Sequence, residues 1–303
     1  MLLKEFSEYN LNKSISFHKD SINCIIILYD QRLCSCSDDK KINIYNKETH
    51  NIDLIISEFN DDIYHLNQLS SNNNNILLAC SYELIKLFEI KNNSYKRIQM
   101  IENFVGWVYK SIELNNYKIA TCGAEKKIKF WEKFNDKYVN SMTINYFDWI
   151  EDILEYETNK IISSSALNEE ITFWDLDNNK IIGNIKKIES TEWNNNLNKL
   201  NNEIILVNGK EYLYLINFKK FELVNKIKTE FQNYCNLKLK DNNILIGDKK
   251  GNISEYIYDE NNKSLNLKIF KKSSHNGCIF SIILNDNKEI ISASEDKTIK
   301  FWK

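Results

Sequence analysis

The chain of 303 residues carries 40 Lys+Arg against 42 Asp+Glu, a formal charge of -2, so no strong global field draws it to nucleic acid or anionic lipid. No apolar run reaches the roughly 18 residues of a membrane-crossing helix, and the start, MLLKEFSEYNLNK, has charges where a signal peptide needs its apolar core. These totals point to a soluble protein inside the cell, cytoplasmic or nuclear and in a reduced compartment, with no membrane insertion.

Only Arg32 and Arg97 are arginine, Pro is absent, and Asn, Lys and Ile are abundant, which we read as a coding bias towards A- and T-rich codons. The seven cysteines, Cys24, Cys34, Cys36, Cys80, Cys122, Cys235 and Cys278, are an odd number and lie inside apolar strand patterns. They read as small buried residues. Cys34 and Cys36 share one side of a strand, but no second Cys or His pair completes a zinc set, so no metal is expected.

Taken in order, residues 1–10 form a short arm and 13–17 a strand candidate that precedes any complete unit. Strand patterns then follow in fours: 22–28, 32–37, 41–46 and 51–57, then 63–69, 76–81, 84–90 and 95–101. The polar run 70–75 opens the first hairpin of the second group as a solvated loop. Further groups occupy 108–144 and 150–186, a fifth has a weak, polar inner strand near 194–200, a sixth spans 235–270, and the seventh runs over 279–303. Asn- and Asp-rich turns, as at Asn115–Asn116 and Asn285–Asn287, reverse the chain between strands.

One sentence recurs in these groups: LCSCSDDKKINIYN, LLACSYELIKLFEI, IATCGAEKKIKFWEK, KIISSSALNEEITFWDL and IISASEDKTIKFWK. Tyr45, Phe88, Trp131 and Trp174 stand 43 residues apart; weaker copies put Leu215 and Tyr256 at steps of 41, and Trp302 follows after 46. A period of about 40–45 residues closed by Trp-Asp marks a four-stranded propeller blade. The chain resembles the WD40 repeat family over essentially its whole length. The resemblance implies an all-β, seven-bladed WD40-type β-propeller, a single domain over 1–303. Because the last copy lacks an outer strand, 13–17 is expected to complete blade seven and close the ring, removing the open sheet edge.

In WD40 repeats a His, an Asp in the tight turn, a Ser or Thr and the Trp form a hydrogen-bonded set. The resemblance assigns His18, Ser37 and Asp39 to blade one, with Tyr45 in place of Trp, and His275, Ser292 or Ser294, Asp296 and Trp302 to blade seven. Trp131 and Trp174 are the structural tryptophans of blades three and four. The other His positions fall on Phe59, Phe104, Tyr146 and Phe231, rings that pack but do not rebuild the same network.

Three tryptophans have another address. Trp107, Trp149 and Trp193 each stand just before an inner strand, and Tyr234 is given that place in the sixth blade, so four aromatics are expected along one arc of the face of loops entering the inner strands. Asp62, Asp148, Glu151 and Asp152 accompany them, with Asp61, Glu102 and Glu192 nearby. Half-exposed rings beside carboxylates suit a peptide presenting Lys or Arg. The competing expectation is that the rings plug the channel or brace the loops. Lys pairs near turns read as solvated faces that guard strand edges.

The sequence shows no Gly-rich phosphate loop, nucleophile elbow or His-x-x-x-His pair, and no carboxylates spaced for acid–base work. The leading expectation is a non-catalytic scaffold or adaptor, without cofactor, a monomeric ring binding a protein or peptide within a larger complex. A ubiquitin-ligase substrate receptor is the alternative, weakened because Trp174–Asp175 is followed by Leu176 and Asp177 without the Arg of the ligase-adaptor motif, and because the chain leaves no room for an F-box-like segment. An RNA- or ribosome-associated propeller is a further alternative, and an enzyme ranks last.

Overall fold

The computed structural model describes residues 9–70, 75–165, 168–188 and 196–303, and the regular elements among them are all strands. The strands form seven four-stranded antiparallel sheets. Six are consecutive in the chain: 22–56, 63–101, 108–145, 150–186, 197–228 and 233–271. The seventh joins Ile279–Leu284, Ile290–Ser294 and Ile299–Trp302 to the N-terminal strand Leu11–Ile15. Their inner strands Ile22–Ile27, Ile63–Leu69, Val108–Glu113, Ile150–Glu157, Leu197–Lys199, Asn233–Lys238 and Ile279–Leu284 touch one another in sequence and back to the first. That is a closed seven-bladed β-propeller.

The closing strand falls two residues earlier than the sequence pattern of 13–17 suggests. Ile15 pairs with Ile299, Ser14 with Lys300, Lys13 with Phe301 and Leu11 with Trp302. Backbone bonds between Asn10 and Lys303, in both directions at 2.6 and 3.0 Å, extend the ladder beyond the strand.

Each seam between neighbouring blades holds its own apolar cluster, so the core is a ring of seven cores. The last seam, where blade seven meets blade one, packs Ile22, Ile25 and Tyr45 against Ile291, Ala293 and Phe301. All seven cysteines are free and buried, as the sequence suggests.

A chain with seven glycines must turn by other means. Asn92, Asn135, Asn159, Asn179 and Asn242 adopt positive φ between 46 and 60°, the left-handed conformation that Asn tolerates better than other non-Gly residues. Gly123 is different: a Cβ there would collide with the Trp107 carbonyl, so this glycine lets the loop before the third inner strand lie tight against its neighbour.

A register shift in the outer ladder precedes the Trp position in every blade: Ile44/Tyr45, Leu87/Phe88, Phe130/Trp131, Phe173/Trp174, Leu215/Ile216, Glu255/Tyr256, and Phe301/Trp302 opposite Leu11/Lys13. One extra residue on the outer strand produces each shift. In blade five the repeat position is therefore Ile216, one residue beyond Leu215.

Candidate functional site

The polar relay that ties a blade together is complete in blade seven. Trp302 Nε1–H donates to Ser292 Oγ at 2.9 Å, and His275 Nε2 lies 2.7 Å from the same oxygen. His275 Nδ1 faces the Asp296 carboxylate at 3.0 Å. An indole can only donate and a carboxylate only accept, so in the neutral ring Nδ1–H donates to Asp296 and Nε2 accepts from Ser292. Burial lowers His275 and outweighs the pull of Asp296 in the other direction, which favours that neutral ring.

Blade one has the same relay: His18 meets Asp39 at 2.9 Å and Ser35 at 2.7 Å, and Ser35 meets the Tyr45 hydroxyl at 2.9 Å. The serine of the relay is Ser35 and not Ser37, which instead caps the turn by accepting the Asp39 backbone N–H at 3.0 Å. In blade seven it is Ser292, while Ser294 caps the turn in the same way at 3.1 Å.

The middle blades solve the missing His differently. In blade two the Lys86 amine stands 4.6 Å from the centre of the Phe59 ring, and in blade three the Lys129 amine stands 4.3 Å from that of Phe104, with Glu125 at 2.8 Å as its counter-ion. Blade four keeps part of the polar set, since the Tyr146 hydroxyl bonds Thr172 Oγ1 at 2.8 Å. Trp131 and Trp174 keep their indole bonds, to Thr121 at 2.9 Å and Ser163 at 2.8 Å. In blade six the position four residues before the inner strand is Thr229, not Phe231, and it accepts from Asn233 Nδ2 at 2.8 Å.

On the face of the loops leading into the inner strands, Trp107 and Trp149 hold equivalent places. Trp149 is 37% exposed, with Phe147 beside it at 55% and Val105 on the neighbouring blade at 69%. Trp107 is half-buried between two tyrosines, 4.7 Å from Tyr64 and 4.6 Å from Tyr82, both edge-on. Trp193 and Glu192 lie outside the described residues.

Tyr234 is not the sixth blade's equivalent of these tryptophans. It is buried and is itself the residue inserted by a register shift between Asn233 and Cys235. The same shift inserts Asn23, Tyr64, Tyr109, Glu151 and Phe280 in blades one, two, three, four and seven. Sequence reading misses Tyr64, Tyr109 and Phe280; an aromatic second in the inner strand was the signal. With Tyr234 they line a cavity of about 590 Å³ at the ring's centre, which also takes in His65, Lys110 and Asn236.

The acidic companions are largely structural. Asp148 is buried and accepts the backbone N–H groups of Trp149 at 2.7 Å and Asn168 at 2.9 Å. Asp152 is buried and faces the Lys110 amine at 3.3 Å, while its oxygens accept from Ile153 N at 2.8 Å and Leu197 N at 2.9 Å. The carboxylate thus joins blades three, four and five. Burial raises Asp152 and Lys110 opposes the rise. Burial works to lower Lys110, but Asp152 and its neighbours leave it raised, which favours the charged amine. Glu151 is buried as well. Of the four carboxylates in the expected arc, only Asp62 is half-exposed at the rim.

The relays and the closed ring match what comparison with known proteins returns. Residues 9–46 and 266–303 match the family described as WD40: WD domain, G-beta repeat. The chain is a seven-bladed β-propeller whose first and last segments match the WD40 repeat. These two segments hold the intact relays, and the first also crosses the closing seam, since it carries both the strand Leu11–Ile15 of blade seven and the strands of blade one. The WD40 β-propeller domain of Doa1, in a crystal structure, superposes with a TM-score of 0.79 at 16% identity, covering 98% of each chain. No curated protein sequence matches this chain. Among its described residues no group of three or more His, Cys, Asp and Glu is placed to hold a metal ion, and no helix is long and apolar enough to cross a membrane.

Proposed function

We propose that the ring is a non-catalytic interaction platform inside the cell, which docks a protein or peptide on its loop face and supports assembly of a complex. The carrying observation is the exposed apolar surface of three consecutive blades: Tyr82 at 36%, Val105 at 69%, Phe147 at 55% and Trp149 at 37%, with Trp107 edge-on against Tyr82. Large rings held by their neighbours and left partly in water are the usual anchors of an interface. The fold supports the same reading, since WD40 propellers commonly act by binding proteins. Trp107 and Trp149 are the proposed anchors, and Asp62 offers charge at the rim.

The test is a pull-down from cells comparing wild type with a Trp107→Ala/Trp149→Ala variant of unchanged melting temperature. Loss of a discrete set of proteins supports docking at this face. Retention of the same set by the folded variant places recognition elsewhere on the ring.

A further inference from the structure

The central cavity has walls and charges that define a guest. Tyr64 and Tyr109 are half-buried, 5.9 Å apart at 75°, and Tyr64 continues edge-on to Trp107. Across the cavity lie Tyr234 and Phe280, in contact at 5.5 Å. Rings around a space of about 590 Å³ bind flat or cationic groups well, and the volume lies in the range of ordinary ligand sites.

The lining carries two cations, Lys110 and Lys249, and two acidic side chains, Asp38 and Glu295. Lys110 is matched by Asp152 at 3.3 Å. Lys249 and Glu295, the other oppositely charged pair on the lining, both act on the Cys278 thiol. Asp38 remains, steadied by the Asn23 amide at 2.6 Å, and no cation is within ion-pair distance of it among the described residues. Burial, then the carboxylates of Asp62 and Asp20, push Asp38 up to about 6 against the pull of Asn23. A carboxylate in that position gains from a cation.

An independent observation points the same way. Asn236 is 7% exposed and lines the cavity; its amide nitrogen donates to Asn208 Oδ1 at 2.9 Å and to the Asn196 carbonyl at 3.3 Å. Those two bonds fix its orientation and leave Oδ1 buried without a donor. A buried acceptor of this kind calls for an N–H from a guest.

We propose that the cavity receives the side chain of an arginine from the docked partner, its guanidinium against Tyr64 and Tyr109 with Asp38 as counter-ion and Asn236 as a further acceptor. Arginine fits better than lysine, because its planar group stacks on rings and spreads five donors towards acceptors on different blades. The inference rests on the reading of the ring as an interaction platform and moves its charge recognition from the arc at Asp148 and Asp152 into the channel.

The test titrates the purified full chain with three blocked tripeptides, acetyl-Gly-X-Gly-amide with X as arginine, lysine or the neutral isostere citrulline, by calorimetry or saturation-transfer NMR. Arginine is expected to bind at least tenfold tighter than citrulline and tighter than lysine. Asp38→Asn should weaken arginine at least tenfold, and Asn236→Leu should weaken it in a chain that still folds. Tyr117→Ala, on the opposite face, should leave the tripeptide unaffected. Equal binding of arginine and citrulline, lysine binding tighter than arginine, or full binding by a folded Asp38→Asn chain overturns the inference. If arginine fails to bind while Trp107→Ala/Trp149→Ala still loses its partners, the channel proposal falls and the platform stands; the reverse pattern retains the channel and refutes the outer anchors.

Discussion

Replacing Asp152 by Ala removes the group that ties three blades together at the channel. The mutation strands the Lys110 amine beside buried thiols, and leaves Ile153 N and Leu197 N without the acceptors they now have at 2.8 and 2.9 Å. Breaking a buried ion pair by deleting one partner costs about 3–5 kcal/mol. The side chains here are 23% and 3% exposed, so water screens the lysine and the lower end of that range applies to the charge. Each orphaned backbone donor adds about 1 kcal/mol. The expected loss is about 4–5 kcal/mol, a large share of the 5–15 kcal/mol that holds a typical fold. Asp152→Asn should lose less, since an amide oxygen still serves one backbone N–H. The double variant Lys110→Met/Asp152→Leu should recover part of the loss, because it removes both charges at once. Urea denaturation followed by tryptophan fluorescence measures all three. A loss below about 1 kcal/mol for Asp152→Ala, or single and double losses that simply add, would refute the bracing role.

Two further outcomes follow from the seventh blade. Deleting residues 1–16 removes the closing strand, whose ladder of about four bonds at about 1 kcal/mol each is joined by the buried Ile15; the shortened chain should melt lower and aggregate through the exposed edge of Ile299–Trp302, as light scattering during a thermal ramp would show. Asp296 is lowered despite its burial, because His275, Thr298 and the Asn276 N–H all donate to it. A carboxylate with a lowered folded pKa stabilises fully above its unfolded value near 4 and loses that contribution as pH falls through the folded value. The stability gap between wild type and Asp296→Asn, about 1.5–3 kcal/mol at neutral pH for bonds to a charged group, should therefore close as pH falls from about 5 towards 2. A gap that stays constant or widens on acidification contradicts the assigned relay.

The ring itself is legible in the sequence because its signal is repeated: aromatics at steps of 43 residues closing apolar strands leave little choice of fold. The relays of blades one and seven are legible for the same reason, since His18 and His275 each stand four residues before an inner strand. What escapes is set by single-residue insertions. A bulge after Ile63 or Val108 re-aims Tyr64 and Tyr109 into the channel, yet a strict two-residue alternation gives them no special place. The same effect separates Tyr234 from Trp107 and Trp149, although their spacing looks regular. Burial of Asp148, Glu151 and Asp152 is equally invisible, because acidic residues in a polar-looking loop read as solvated until the facing donors are known. Lys86 and Lys129 show the converse. Their place over the Phe59 and Phe104 rings substitutes for a missing His through chemistry that no repeat pattern encodes.

The most direct test of the platform reading is a photo-crosslinking side chain placed in cells at Phe147 on the loop face and, separately, at Tyr117 on the opposite face, both exposed at 55% and 62%. Discrete protein adducts from position 147, and none from position 117, are the predicted result. Adducts confined to position 117, or none at either position, would contradict docking on the loop face.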